Sequence, residues 1–388
     1  MTVDVSRMLF PIMRSALDGV MLSENEKSPF SKEALPELIA LARRHDVGHL
    51  LAIALIDNGI VSNESRGACD ELTKAVCRYE LIRHELSALS AVLEDAKIAH
   101  VALKGSTMRK YYPKPYMRTS SDIDILVQQC DVERAIDVLG GCSYELIGRG
   151  LHDVSFRTPS KQLIELHFDL LEEGRLDNSS DIIKVLRSAW EYAVRVDGYE
   201  YRYELSDEFF YFYHIAHMAK HFQDGGCGIK PIIDLWMIHN RTPYNEEASN
   251  ALLEKGGLLP FANEMRKLSR IWLDGEDYDD FSRELEKYII DGGVYGTLEN
   301  KVAVHQIKKG SKIRYALSKI FLKYEQLRFH YPVLNKHKWL FPFCQVRRWF
   351  KLLFRGGVRR SIHELELNKN VSSERSAKTA EMLTKLEL

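Results

Sequence analysis

The sequence predicts an α+β protein, with a mixed sheet flanked by helices and set between helical N- and C-terminal regions. Three observations predict it. Residues 101–127, VALKGSTMRKYYPKPYMRTSSDIDILV, read as strand, tight turn, short helix, loop and strand. Three short runs that suit strands follow, at 144–149, 153–158 and 163–168. Apolar stripes at helical spacing lie on both sides of this block.

Composition sets the outer limits. The 388 residues are 45% hydrophobic and 28% charged, enough for two or three domains with ample core. The net charge of −1 gives no overall pull toward nucleic acid. Six cysteines are scattered without a C-x-x-C pair, which argues for reduced thiols rather than a zinc ribbon or disulfide framework. No run approaches the ~20 apolar residues of a membrane span, so no transmembrane segment is expected. The N-terminus, with Asp4, lacks a secretory pattern, and a cytoplasmic location is expected.

Residues 1–78 form the N-terminal helical region. Leu35, Leu38, Ile39 and Ala42 fall at i, i+3, i+4 and i+7, and Val47, Leu50, Leu51 and Ala54 repeat the spacing. Pro36 suits a first helical turn. His45-Asp46 matches the dipeptide of one family of metal-dependent phosphohydrolases, but two residues match easily by accident. A polar break between helices is the preferred reading.

Residues 79–205 form the central domain. A helix over 79–96 carries Ile82, Leu86, Leu89, Leu93 and Ala96 on one stripe. Lys104, Gly105 and Ser106 then stand at a strand-to-helix turn. Gly105 admits a close backbone approach, the helix N-terminus favours phosphate, and Lys104 adds a cation. An ordinary turn with a Ser cap is the simpler alternative. Residues 111–117, with two prolines, read as a surface loop. Arg118 suits either a triphosphate or a carboxylate partner.

Asp122 and Asp124 sit two apart on a strand and share one face, while Ile123 and Ile125 face a core. Paired carboxylates repel unless a cation lies between them, and a hard ion such as Mg²⁺ takes such ligands. Glu165 and His167 share a face of the 163–168 run in the same way. A strand pair at 192–196 and 200–204 turns at Asp197-Gly198.

Residues 206–290 form a helical, substrate-side domain. Ser206 caps a helix on which His214, His217 and His221 stand at i, i+3 and i+7, beside Lys220. Such a face suits a substrate wall, zinc or packing. A glycine-rich loop with Lys230 and Asp234 follows.

Residues 291–388 form a basic, aromatic-rich helical region with a polar tail that frays after Glu364. Between Lys301 and Arg360 the only acid is Glu325. Trp349, Phe350, Leu352, Leu353 and Phe354 beside Arg347, Arg348, Lys351 and Arg355 suit an anionic surface, whether membrane or nucleic acid. Packing of these aromatics on the central domain is the preferred alternative.

Leu103-Lys104-Gly105, Arg118 and Asp122-Ile123-Asp124-Ile125-Leu126-Val127 resemble the L-K-G…R…D-I-D-L-L-V pattern of an uncharacterised bacterial nucleotidyltransferase family. That family falls in the superfamily of DNA polymerase β, and the resemblance spans about residues 80–240. It implies a polymerase β-like domain and a third carboxylate on a later strand, for which Glu165 is the candidate. It further implies an NTP substrate and two Mg²⁺ ions, with Mn²⁺ an alternative, on Asp122, Asp124 and Glu165. Lys104, Gly105, Ser106 and Arg118 would hold the triphosphate. His167, His214, His217, Lys220, His221, Lys230 and Asp234 would face the substrate. Where Arg is expected in that family, this chain has Lys230, which keeps the charge and loses the fork. The acceptor, whether small molecule, protein or RNA, is left open. The alternatives are a metal-dependent phosphohydrolase and a silent nucleotide-binding module.

Overall fold

A computed structural model describes residues 2–30, 33–171, 180–241, 245–294, 296–309, 314, 317–318, 320–331, 333–354 and 373–388. Seven strands form one mixed sheet in the order β3-β4-β5-β2-β1-β7-β6. They are β1 (His100–Ala102), β2 (Asp122–Val127), β3 (Glu145–Arg149), β4 (Asp153–Arg157), β5 (Leu163–His167), β6 (Ala193–Arg195) and β7 (Arg202–Leu205). The β2–β5 and β1–β7 pairs are parallel and the rest antiparallel. The α+β class and the mixed sheet agree with the sequence pattern.

Alternation along β2 and β5 divides the sheet into a buried apolar face and a polar one. Ile123, Ile125, Ile164 and Leu166 are all fully buried and pack with Ile82, Leu89 and Leu93 of helix Arg66–Asp95. That helix begins well before residue 79, the start expected from its apolar stripe. Its first turns bury little beyond Ala75, so they leave no clear stripe in the sequence. The boundary expected at residue 78 therefore falls inside a continuous helix.

A second, larger core joins the N-terminal helices to those of the 206–290 region. Leu9 and Ile12, Leu38 and Leu50, and Phe209, Ile233 and Leu268 all belong to it. Met382 and Leu386 reach the same core from helix Ser373–Lys385 and the turn after it. A helix thus stands over 373–385, where the sequence suggested a fraying tail. Residues 364–372 of that expected tail lie outside the described residues.

Residues 111–117 differ from the expected surface loop. Two 3-10 turns, Arg109–Tyr111 and Pro115–Met117, bury Tyr111, Tyr112 and Met117. The prolines rule out a regular helix but not burial of the residues on either side of them.

Candidate active site

The parallel β2–β5 pairing sets Asp124 directly beside Glu165. Because each strand alternates, His167 returns to the same face two residues on. Asp124 Oδ1 lies 2.9 Å from His167 Nε2 and accepts from Lys104 Nζ at 2.7 Å. Glu165 Oε2 lies 3.9 Å from Lys104 Nζ and 3.5 Å from His167 Nε2. Asp124, Glu165 and His167 each offer a ligand atom within 4.8 Å of the others. Among the described residues this is the only such group of three. Two carboxylates and an imidazole fit a divalent cation, and the Lys104 ammonium against them shows that positive charge is accommodated here.

Asp122 lines the same cleft but stands outside that group of three. Its pKa is pushed up to about 6, by burial and then by Asp124. Burial works against the Asp124 carboxylate too, but Lys104 and His167 outweigh it and hold its pKa below the usual range. Burial likewise opposes the Lys104 charge, and Tyr213, Asp124 and Glu165 together overcome it.

Lys104, Gly105 and Ser106 open helix Lys104–Met108, and the structure divides their roles differently from the sequence reading. The left-handed φ of 46° falls on Lys104 rather than on Gly105. Such a backbone costs of order 1 kcal/mol in a non-glycine residue, a strain typical of functional sites. Gly105 instead admits the close approach of Ser120, whose Cβ would lie 2.6 Å from an added Cβ. Gly105→Ala is expected to displace the 119–121 turn and cost about 1–3 kcal/mol, read by urea denaturation. Ser106 does not line the cleft, and its Oγ is buried without a hydrogen-bond partner.

Arg118 takes the carboxylate partner. Its Nε and Nη2 donate to the two oxygens of Asp234 at 2.7 and 2.8 Å, and Nη1 donates to the Thr119 carbonyl. Tyr112 adds a third hydrogen bond to Asp234, which is fully buried. Asp234 therefore anchors the turn before β2 to helix Ile229–Arg241, and its carboxylate faces Arg118 and Tyr112.

The cleft over the acidic face has a volume of about 330 Å³. Helix Asp207–Gln223, capped by Ser206, forms its other wall with Tyr213, His214, His217, Lys220 and His221. His217 and His221 stack edge to face at 4.5 Å, while His214 Nε2 lies 3.2 Å from the Pro231 carbonyl. Burial holds the His217 and His221 pKa values down, that of His221 at about 4. No third ligand converges on these imidazoles to form a metal group among the described residues.

Lys230 pairs with Asp46 and reaches Thr119, also at the cleft. Its pKa is pulled down to about 8 by burial, with Arg118 adding to the effect. The pairing of Asp46 with Lys230 answers the His45-Asp46 question. His45 Nε2 meets the Ile290 carbonyl, and among the described residues His45 and Asp46 belong to no metal group. Tyr213, Ser120 and Ser121 line the cleft without having stood out in the sequence, and Asp46 lines it in a role other than the metal one its dipeptide suggested. Only the seryl pair beside the D-x-D strand left a local signal.

A family model described as "Uncharacterised nucleotidyltransferase" matches residues 31–274. The chain belongs to this family. The match takes in the whole sheet, both walls of the cleft and the helices from Leu35 to Asp274, well beyond the span of the motif alone. Membership of the nucleotidyltransferase family implies a nucleotide substrate, and the acidic cluster could hold the divalent metal such enzymes commonly use. Searches of curated proteins and of solved structures return no match.

Proposed function

We propose that the protein is a polymerase β-like, Mg²⁺-dependent enzyme that moves a nucleoside monophosphate from an NTP to a hydroxyl or phosphate acceptor. The convergence of Asp124 and Glu165, which line the cleft, with the buried His167 in a nucleotidyltransferase-family domain is the observation that carries this reading. Asp122, Asp124 and Glu165 would hold the metal, with His167 beside them on β5. Bound there, divalent ions supply charge neutralisation for the phosphates and acidify the acceptor hydroxyl.

Without substrate, Lys104 keeps the two carboxylates from repelling each other. Lys104, lining the cleft beside these carboxylates, would meet the triphosphate, with Gly105 leaving room for the turn next to it. Arg118, engaged by Asp234, acts by fixing the 118–121 turn rather than by gripping phosphate. Tyr213, His214, His217, Lys220 and His221 close the opposite wall, and Lys230 adds positive charge at its edge.

Purified protein with Mg²⁺ or Mn²⁺, labelled NTPs and fractionated metabolites, peptides and RNA tests this. Pyrophosphate release with label on an acceptor, stopped by EDTA, is the expected result. Orthophosphate release without transfer would point to a phosphohydrolase instead. Nucleotide binding with no turnover in any fraction would make the protein a silent module.

A further inference from the structure

Helix Phe341–Phe354 has two unlike faces. Its inner face packs Cys344 with Leu327 and Leu334 into a small separate core, with Tyr324, Leu340 and Phe341 around it. Its outer face is apolar and open. Phe343, Val346 and Phe350 follow one another at i, i+3 and i+7 and so form one stripe, and Trp339, in the 3-10 turn Lys338–Leu340 before the helix, extends it by packing edge to face on Phe343. Trp339 is 69%, Phe343 66% and Phe350 56% exposed. Beside the stripe, Phe321 packs edge to face on Trp349 and is itself exposed, as is Ile320. Of the residues expected on this basic segment, 310–313, 315–316, 319, 332 and 355–360 lie outside the described residues.

Charge is sorted onto the same segment. From Lys301 to Arg360 there are sixteen Lys and Arg and a single acid, in a chain whose net charge is −1. Lys336, Lys338, Arg347 and Lys351 are exposed around the stripe, and among the described residues none has an acidic partner. We propose that this face docks on an anionic lipid bilayer surface, with the aromatics in the headgroup layer and the basic side chains on the phosphates.

Two features favour a bilayer over RNA. The stripe contains Val346 and is flanked by Ile320, which offer no ring for a base to stack on. Its aromatics are contiguous on one convex helix face rather than spaced along a basic groove. Apolar insertion and headgroup attraction together supply the two signals that stable surface binding needs. No helix among the described residues is long and apolar enough to cross a membrane, so the association is with the surface.

The full chain should sediment with phosphatidylcholine vesicles containing phosphatidylglycerol at least about tenfold more tightly than with phosphatidylcholine alone. Phe343→Ser with Phe350→Ser should weaken that binding about tenfold or more. Arg347→Glu with Lys351→Glu should do the same and remove the preference for the anionic vesicles. These two charged side chains are exposed, so the second variant keeps the test valid should the first unfold. Brominated lipid should quench fluorescence in the parent and less in Trp339→Phe. Equal binding to both vesicle types, or none, overturns the proposal. So does retention of single-stranded RNA without vesicle binding, or a dimer in sedimentation velocity that Phe343→Ser dissociates.

Discussion

Asp124→Asn is expected to lower nucleotidyl transfer by roughly 10³-fold, read as pyrophosphate release at saturating NTP and Mg²⁺. Asp124 is the point at which three groups meet: Lys104, His167 and, through them, Glu165. An asparagine keeps the shape of the side chain and removes its charge. It leaves the Lys104 ammonium with only the more distant Glu165 as a carboxylate partner. Such half-pairs cost about 3–5 kcal/mol, so loss of activity could come from loss of fold. Lys104→Met combined with Asp124→Asn separates the two effects. The pair should recover part of the stability, because the stranded Lys104 charge is gone, and none of the activity. A double variant that recovers turnover, or a single variant within tenfold of the parent, would move the reaction centre away from β2.

Asp234→Ala is expected to destabilise the protein by about 3–5 kcal/mol in urea denaturation. Its carboxylate accepts two bonds from Arg118 and one from Tyr112 and has no access to water. Removing it strands a guanidinium that is itself largely buried. Arg118→Met with Asp234→Leu should restore much of the loss, since well-packed apolar pairs often match buried ion pairs. A change below about 1 kcal/mol for Asp234→Ala would mean that the turn before β2 is held by other contacts, Arg109 on Ser120 being the next in line.

Much of the sheet was legible because a strand repeats every two residues, a pattern that needs no knowledge of distant neighbours. The faces of Asp122–Val127 and Leu163–His167 follow from that rule alone, and so does the chance for Asp124 and Glu165 to meet. Local pattern could not say which partner Arg118 would choose, since Asp234 lies 116 residues away. The same holds for Lys230, whose partner Asp46 comes from the N-terminal helices. His167, expected to face substrate or to orient the metal site, lies with Asp124 and Glu165 in a group that could hold a metal ion. Histidine in a strand carries no signal that separates those roles. Gly105 drew attention as the residue free to adopt unusual dihedrals, but contact with Ser120 is what its missing side chain permits. The unusual dihedral belongs to the lysine before it.

The larger core contains Val5 at one end of the chain and Leu386 at the other. A nascent polypeptide therefore cannot complete this core until residue 386 has left the ribosome. The first helices can pack on one another early, but the face that helix Thr2–Asp18 turns to helix Leu259–Asp274 stays uncovered until that helix is made, which suits the early chain to a chaperone during translation. Ribosome-stalled chains cut short before Leu259 should be captured by holdases and digested quickly by protease, and chains extended past Asp274 should be captured less.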